Sequence, residues 1–147
     1  MRFIAIILLL TACIIGTDAK SAPISPLFIT LSDGQNIRFE VEVASSSDDL
    51  AKGLMFRKKM PTNNGMLFDF GENRQVTMWM KNTLIPLDIL FITMDGTIVS
   101  MAERTVPLSL ESIHSRHSVR YVLEINAGAT SKFGIKVGDK ISHSRIR

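Results

Sequence analysis

The chain predicts a mainly β fold: a single domain with one or two short helices, its strands forming an antiparallel, curled or barrel-like sheet. Three observations predict it. Apolar residues recur at every second position, as in Leu27, Ile29 and Leu31 and in Ile37, Phe39, Val41 and Val43, which is the period of a strand with one buried face. The runs are joined by tight-turn pairs, Asp33-Gly34 and Asp95-Gly96, that suit hairpins. Helix signals are confined to two short segments, too little to cover both faces of a doubly wound sheet. A chain of 147 residues, 46% hydrophobic and 21% charged, has room for one such core.

In chain order, residues 1–19 read as an export signal. Arg2 supplies the positive start, Phe3 to Gly16 the apolar run, and Thr17-Asp18-Ala19 a small-x-small cleavage site. The run is shorter than the roughly 20 residues a spanning helix needs, so no transmembrane helix is expected in the mature protein. Soluble release into the periplasm or medium is the first expectation. Leu10-Thr11-Ala12-Cys13 has the form of a lipoprotein signal, so lipid anchoring through Cys13 is the alternative. Cys13 is the single cysteine, and the folded part therefore has no thiol for a disulfide, a nucleophile or a metal.

Residues 20–26 read as a proline-bearing tether to a β-rich domain over 27–147. Leu27 to Val43 form a hairpin around Asp33-Gly34. Serines followed by Asp48 and Asp49 open a short helix to Met55, weakened by Gly53. Met66 to Phe70 and Gln75 to Lys81 read as two strands divided by a turn at Gly71–Arg74. A second hairpin follows from Leu87, its first arm apolar on both faces and its turn at Asp95-Gly96. Val106 to Ser118 reads as loop, Arg120 to Ile125 as a strand, Asn126 to Gly134 as a short helix or turn, and a strand near Ile141 closes the fold.

The charge excludes some functions. A net charge of +3 and a pI near 9.2 come from cations spread over the whole length, with Arg57, Lys58 and Lys59 the one basic run. Nucleic-acid binding needs basic residues clustered on one face, so no nucleic-acid partner is expected. No nucleophile elbow, phosphate loop or dinucleotide fingerprint is present, and no cofactor is implied. His114, His117 and His143 have no carboxylate or cysteine at zinc spacing; they are expected to face solvent.

Four segments, GLMFRKKM, GMLFDF, WMKNTLIPLDILFI and YVLEINAG, carry a resemblance. In this order they resemble the small, usually exported prokaryotic family called domain of unknown function 192, over about Leu27 to Ile141. The family's signature falls on Gly53, Leu54, Met55 and Arg57; on Gly65, Met66, Leu67 and Phe68; on Trp79, Met80, Lys81, Asn82 and Thr83; on Pro86, Leu87, Asp88 and Phe91; and on Glu124, Ala127 and Gly128. The resemblance implies a compact β-rich fold and supplies no activity.

Chemistry must therefore come from the residues. Period two places Trp79, Lys81 and Thr83 on one strand face and Val76, Met78, Met80 and Asn82 on the other. With Arg57 and Asp88 nearby, Trp79, Lys81, Asn82 and Thr83 can hold a small polar ligand or an envelope partner, which makes a non-enzymatic binding module the first expectation. The bland alternative pairs Lys81 with Asp88 and leaves Trp79 to cap the core. Asp88 and Glu124 each sit among apolar neighbours, the setting of a tuned acid/base pair acting on a glycosidic bond; a carbohydrate-active hydrolase is the second expectation, against a purely structural ion pair. Met78 and Met80 offer two thioethers to Cu(I), although the other methionines are dispersed as core fillers would be.

Overall fold

In a computed structural model that describes residues 23–146, the chain forms seven strands and two short helices: β1 (Ile24–Thr30), β2 (Asn36–Ala44), α1 (Ser47–Lys52), β3 (Asn64–Met78), β4 (Leu87–Ile92), β5 (Ile98–Ala102), β6 (Ile113–Asn126), α2 (Ala129–Phe133) and β7 (Lys140–Ser142). The signal reading of residues 1–19, with Cys13, and the start of the tether lie outside the described residues. The tether ends earlier than expected, since Ile24, Ser25 and Pro26 already pair with Glu42, Val41 and Glu40. Pro26 is tolerated because β7 reaches only Phe28 to Thr30, leaving its other side unladdered.

One sheet in the order β5-β4-β6-β3-β2-β1-β7 curls into a half-barrel. Its pairs are antiparallel except β2 with β3, which run parallel because α1 and its flanking loops carry the chain over the sheet between them. The sheet is thus mixed rather than wholly antiparallel. At one end the outer strands meet: Thr97 bridges Lys140, and Ile98 N–H and Ile141 N–H donate to the carbonyls of Asp139 and Gly96.

Both faces of the sheet are covered. The concave face holds Leu27, Ile29, Phe39, Val41, Leu67, Leu90, Ile92, Tyr121, Leu123 and Ile125. The convex face carries a second core of Met66, Phe68, Leu87, Ile89, Phe91 and Val122, covered by the segment after α1, with Leu54, and by the loop after β3, with Met80 and Ile85. Double coverage explains why all six residues of β4 are buried and why its sequence is apolar without alternation.

The two strands expected around Gly71 are one 15-residue strand, β3, interrupted by an irregularity between Asp69 and Arg74. The Asp69 carboxylate fixes it by accepting from Gly71 N–H at 2.9 Å and Arg120 Nε at 3.0 Å. β6 likewise begins at Ile113, inside the segment expected to be loop, because its first residues ladder onto the far half of β3, Met78 with Ile113 and Thr77 with His114. The expected solvent position also fails for His143, which is buried and bonded to Ser25 Oγ at 2.9 Å; burial, and secondarily Arg145, lower its pKa.

Candidate functional site

Strand register decides where the carboxylates point. Asp88 is opposite Ile125, and Ile89 is opposite Glu124; paired residues share a face and successive ones alternate, so Asp88 and Glu124 project from opposite faces of the sheet. They cannot flank one bond, and the acid/base pair of a glycosidase is not formed. Asp88 is fully buried on the concave side. Its carboxylate accepts from Arg104 N–H at 2.8 Å, Thr130 N–H at 3.0 Å and Thr130 Oγ1 at 2.7 Å, pinning the loop after β5 and the first turn of α2. That is a structural role, and Lys81 does not take part in it.

Glu124 belongs to the convex side, in a row with Met66 of β3 and Glu42 of β2. Only 4% of it is exposed. Among the described residues no side chain or backbone group hydrogen-bonds its carboxyl group, and no unpartnered side-chain oxygen is fully enclosed, so both of its oxygens reach open space. That space is a cavity of about 180 Å³ under α1, walled by Leu50, Leu54 and Met55 on one side and by Phe68, Phe70, Met78, Trp79 and Thr83 on the other. Burial alone raises the Glu124 pKa to about 8, since a charge there has lost water and gained no partner.

The helix that roofs the cavity is set by local signals. Ser46 Oγ accepts from Asp49 N–H at 3.1 Å as the N-cap, and Gly53 ends the helix at φ 47, where a side chain is strained. The Phe68 ring lies 3.0 Å from where a Gly53 Cβ would stand, so this glycine also lets the roof close onto the aromatic wall. Phe68 and Phe70 stack with centroids 6.4 Å apart.

The expected ligand residues divide. Trp79 and Thr83 line the cavity and Lys81, Asn82, Arg57 and Asp88 do not. β3 ends at Met78, so the alternation stops one residue before Trp79, and Met78 and Trp79 line the same cavity instead of opposite faces. Trp79 is 47% exposed, and the Lys81 ammonium sits 4.9 Å above its ring. Arg57 makes a bidentate pair with Glu42 at 2.5 and 2.8 Å; that bond holds its pKa above the usual arginine value. Asn82 supports the rim, its carbonyl accepting from Phe56 N–H at 2.8 Å. Met80 is buried, with Thr105 Oγ1 donating to its sulfur at 3.1 Å, and Met78, packed against the same core, lines the cavity. Among the described residues no three His, Cys, Asp or Glu side chains cluster as metal ligands.

Sequence reasoning missed the roof and the aromatic wall as site residues, and it missed Glu42. The wall residues carried only the signature strings, while Glu42 lies in a plain E-V-E-V alternation that marks a polar face and not a partner.

Comparison with known proteins adds relatives without an activity. Residues 28–143 match the profile of domain of unknown function 192, described as uncharacterized ACR. A Sinorhizobium meliloti protein described as a candidate transcription regulator is 44% identical, with a TM-score of 0.82 over 83% of this chain and 95% of that one. A Novosphingobium aromaticivorans protein of unknown function is 36% identical, with a TM-score of 0.81 over 86% of this chain and 89% of that one. Comparison with curated proteins found no match.

Proposed function

The chain belongs to the family of domain of unknown function 192, and from that premise we propose that it is an exported, non-enzymatic binding module that takes a small molecule into the cavity between α1 and Trp79. One observation carries the reading: the carboxyl group of Glu124, a residue only 4% exposed, has no partner among the described residues and opens into a cavity. An unanswered buried carboxyl costs stability, and a bound ligand is what offsets that cost. Export rests on the signal expected in residues 1–19, and the partner is a small molecule of the envelope or medium. The description of the Sinorhizobium relative is not carried over. Arg38, Arg57, Arg120 and Lys140 are each paired with a carboxylate, which thins the positive field a duplex would need. Among the described residues no helix is long and apolar enough to cross a membrane.

Trp79 is the single tryptophan and half-exposed at the cavity wall, so it reports occupancy directly. Titration with a panel of amines, alcohols, carboxylates, sugars and cell-wall fragments is expected to change its fluorescence and raise Tm for one chemical class, by the mass-action stabilisation of a ligand that binds only the folded state. Unchanged fluorescence and Tm across the whole panel would dismiss the small-molecule reading.

A further inference from the structure

We infer that the cavity selects a small organic cation, an ammonium head on an apolar body, and that Glu124 is its counter-ion. The inference rests on the binding reading above and sharpens it. The polar points of the cavity are few: Thr83 Oγ1 already donates to the Lys81 carbonyl at 3.3 Å, and Thr77 and Lys52 are exposed at the edge. The walls are otherwise aliphatic, aromatic and thioether. A sugar would bring several hydroxyls with nothing to bond, each costing free energy on burial. A carboxylate would meet the Glu124 carboxyl and apolar walls inside, with Lys52 at the exposed edge as the one lining cation. An ammonium instead gains the Glu124 carboxylate, while its apolar body packs against the aromatic, aliphatic and thioether walls. Size agrees, since a dry cavity of about 150 Å³ admits benzene and this one measures about 180 Å³.

The charges around Glu124 allow it. On β2, Glu42 neutralises Arg57, and its backbone stands two strand spacings, roughly 9–10 Å, from that of Glu124 along the row. β4 presents Leu87, Ile89 and Phe91, without charge. α1 contributes Lys52 at the edge and the exposed Asp48 and Asp49 of its first turn. Lys81 lies over the Trp79 ring and Arg74 of β3 over the Phe70 ring, both outside the cavity lining. Among the described residues none is an ion-pair partner of Glu124, so the counter-charge arrives with the ligand.

The test uses three probes of one shape on the intact mature protein: benzylammonium, benzyl alcohol and benzoate, followed by Trp79 fluorescence and calorimetry. Benzylammonium is expected to bind tightest. Because Glu124 must lose its proton as the cation enters, affinity should rise roughly tenfold per pH unit between pH 6 and 7 and level off above pH 8, with one proton released per ligand. Glu124→Gln should abolish the preference and the pH dependence while retaining benzyl alcohol. If benzyl alcohol or benzoate binds wild type as tightly as benzylammonium, or if affinity for the cation is flat or falls with pH, the cation inference is overturned and the binding reading stands. If none of the three binds, the cation inference falls, and the wider panel decides the binding reading separately. Should Glu124→Gln fail to fold, the wild-type ranking and pH profile decide the matter alone.

Discussion

Glu124 is the residue on which the sequence and the structure bear most directly, because its environment works on one protonation state only. Burial disfavours its charged form and raises its pKa from 4.5 to about 8. The folded state then binds a proton that the unfolded state has released over the interval between those values. Its contribution to stability is accordingly full below about pH 4.5, declines as pH rises at up to about 1.4 kcal/mol per unit, and is lost once pH passes 8. Glu124→Gln should remove that slope, with a gain of about 2–4 kcal/mol at pH 9 relative to wild type. Urea denaturation of both proteins from pH 5 to 9 checks it, and parallel pH profiles would contradict the burial. At this scale the sequence was half informative. It singled out Glu124 and Asp88 by their apolar neighbours. It could not tell that one meets three donors and the other meets a cavity, because those donors come from residues 16 and 42 positions away.

Among the elements, α1 and β3 decide whether a cavity exists. The helix has six residues, none of them buried, too short to stand alone; it is held by its caps and by Leu54, 2% exposed, at the turn that follows. Gly53→Ala places a Cβ against the Phe68 ring at a φ of 47. The expected result is a loss of about 1–2 kcal/mol in stability, with a weaker fluorescence response to ligand as the roof is pushed from the wall. Denaturation and titration of the same variant measure both, and unimpaired binding would place the ligand elsewhere. The expected helix, Asp48 to Met55, ran past the observed end at Lys52 because its apolar residues belong to the turn that descends onto the sheet. The expected break in β3 was correct in place and wrong in kind: Gly71 bends a strand that stays paired with β6 on both sides.

The whole molecule is a curled sheet whose edges β5 and β7 are joined at one end, which leaves less edge open to pairing with another chain. Gly96, at φ 83, is where this seam is tightest, since a Cβ there would collide with the Ile141 carbonyl oxygen. Lys140 Nζ crosses the seam to Asp95 at 2.6 Å. Gly96→Ala is expected to part the seam and lower stability by about 2–3 kcal/mol. Occupancy of the Glu124 cavity should stay intact, because its wall is built on the opposite face of the sheet. Thermal unfolding and Trp79 titration separate the two effects, and loss of both together would mean that the two cores unfold as one with the site.

By itself the sequence determined the β class and the place of most strands, the hairpin turns at Asp33-Gly34 and Asp95-Gly96, a single domain, and the family through its four signature segments. Those are consequences of short-range rules: period-two hydrophobicity, and turn positions with positive φ that glycine fills. Tertiary structure alone decided which face each carboxylate occupies, the parallel pairing of β2 with β3, the seam between β5 and β7, and the exit of Trp79 from its strand into the wall of a cavity. These depend on register and on pairing between residues far apart in the chain. A shift of one position would turn Glu124 toward the concave core, and nothing in the local alternation reveals that both faces of this sheet are buried.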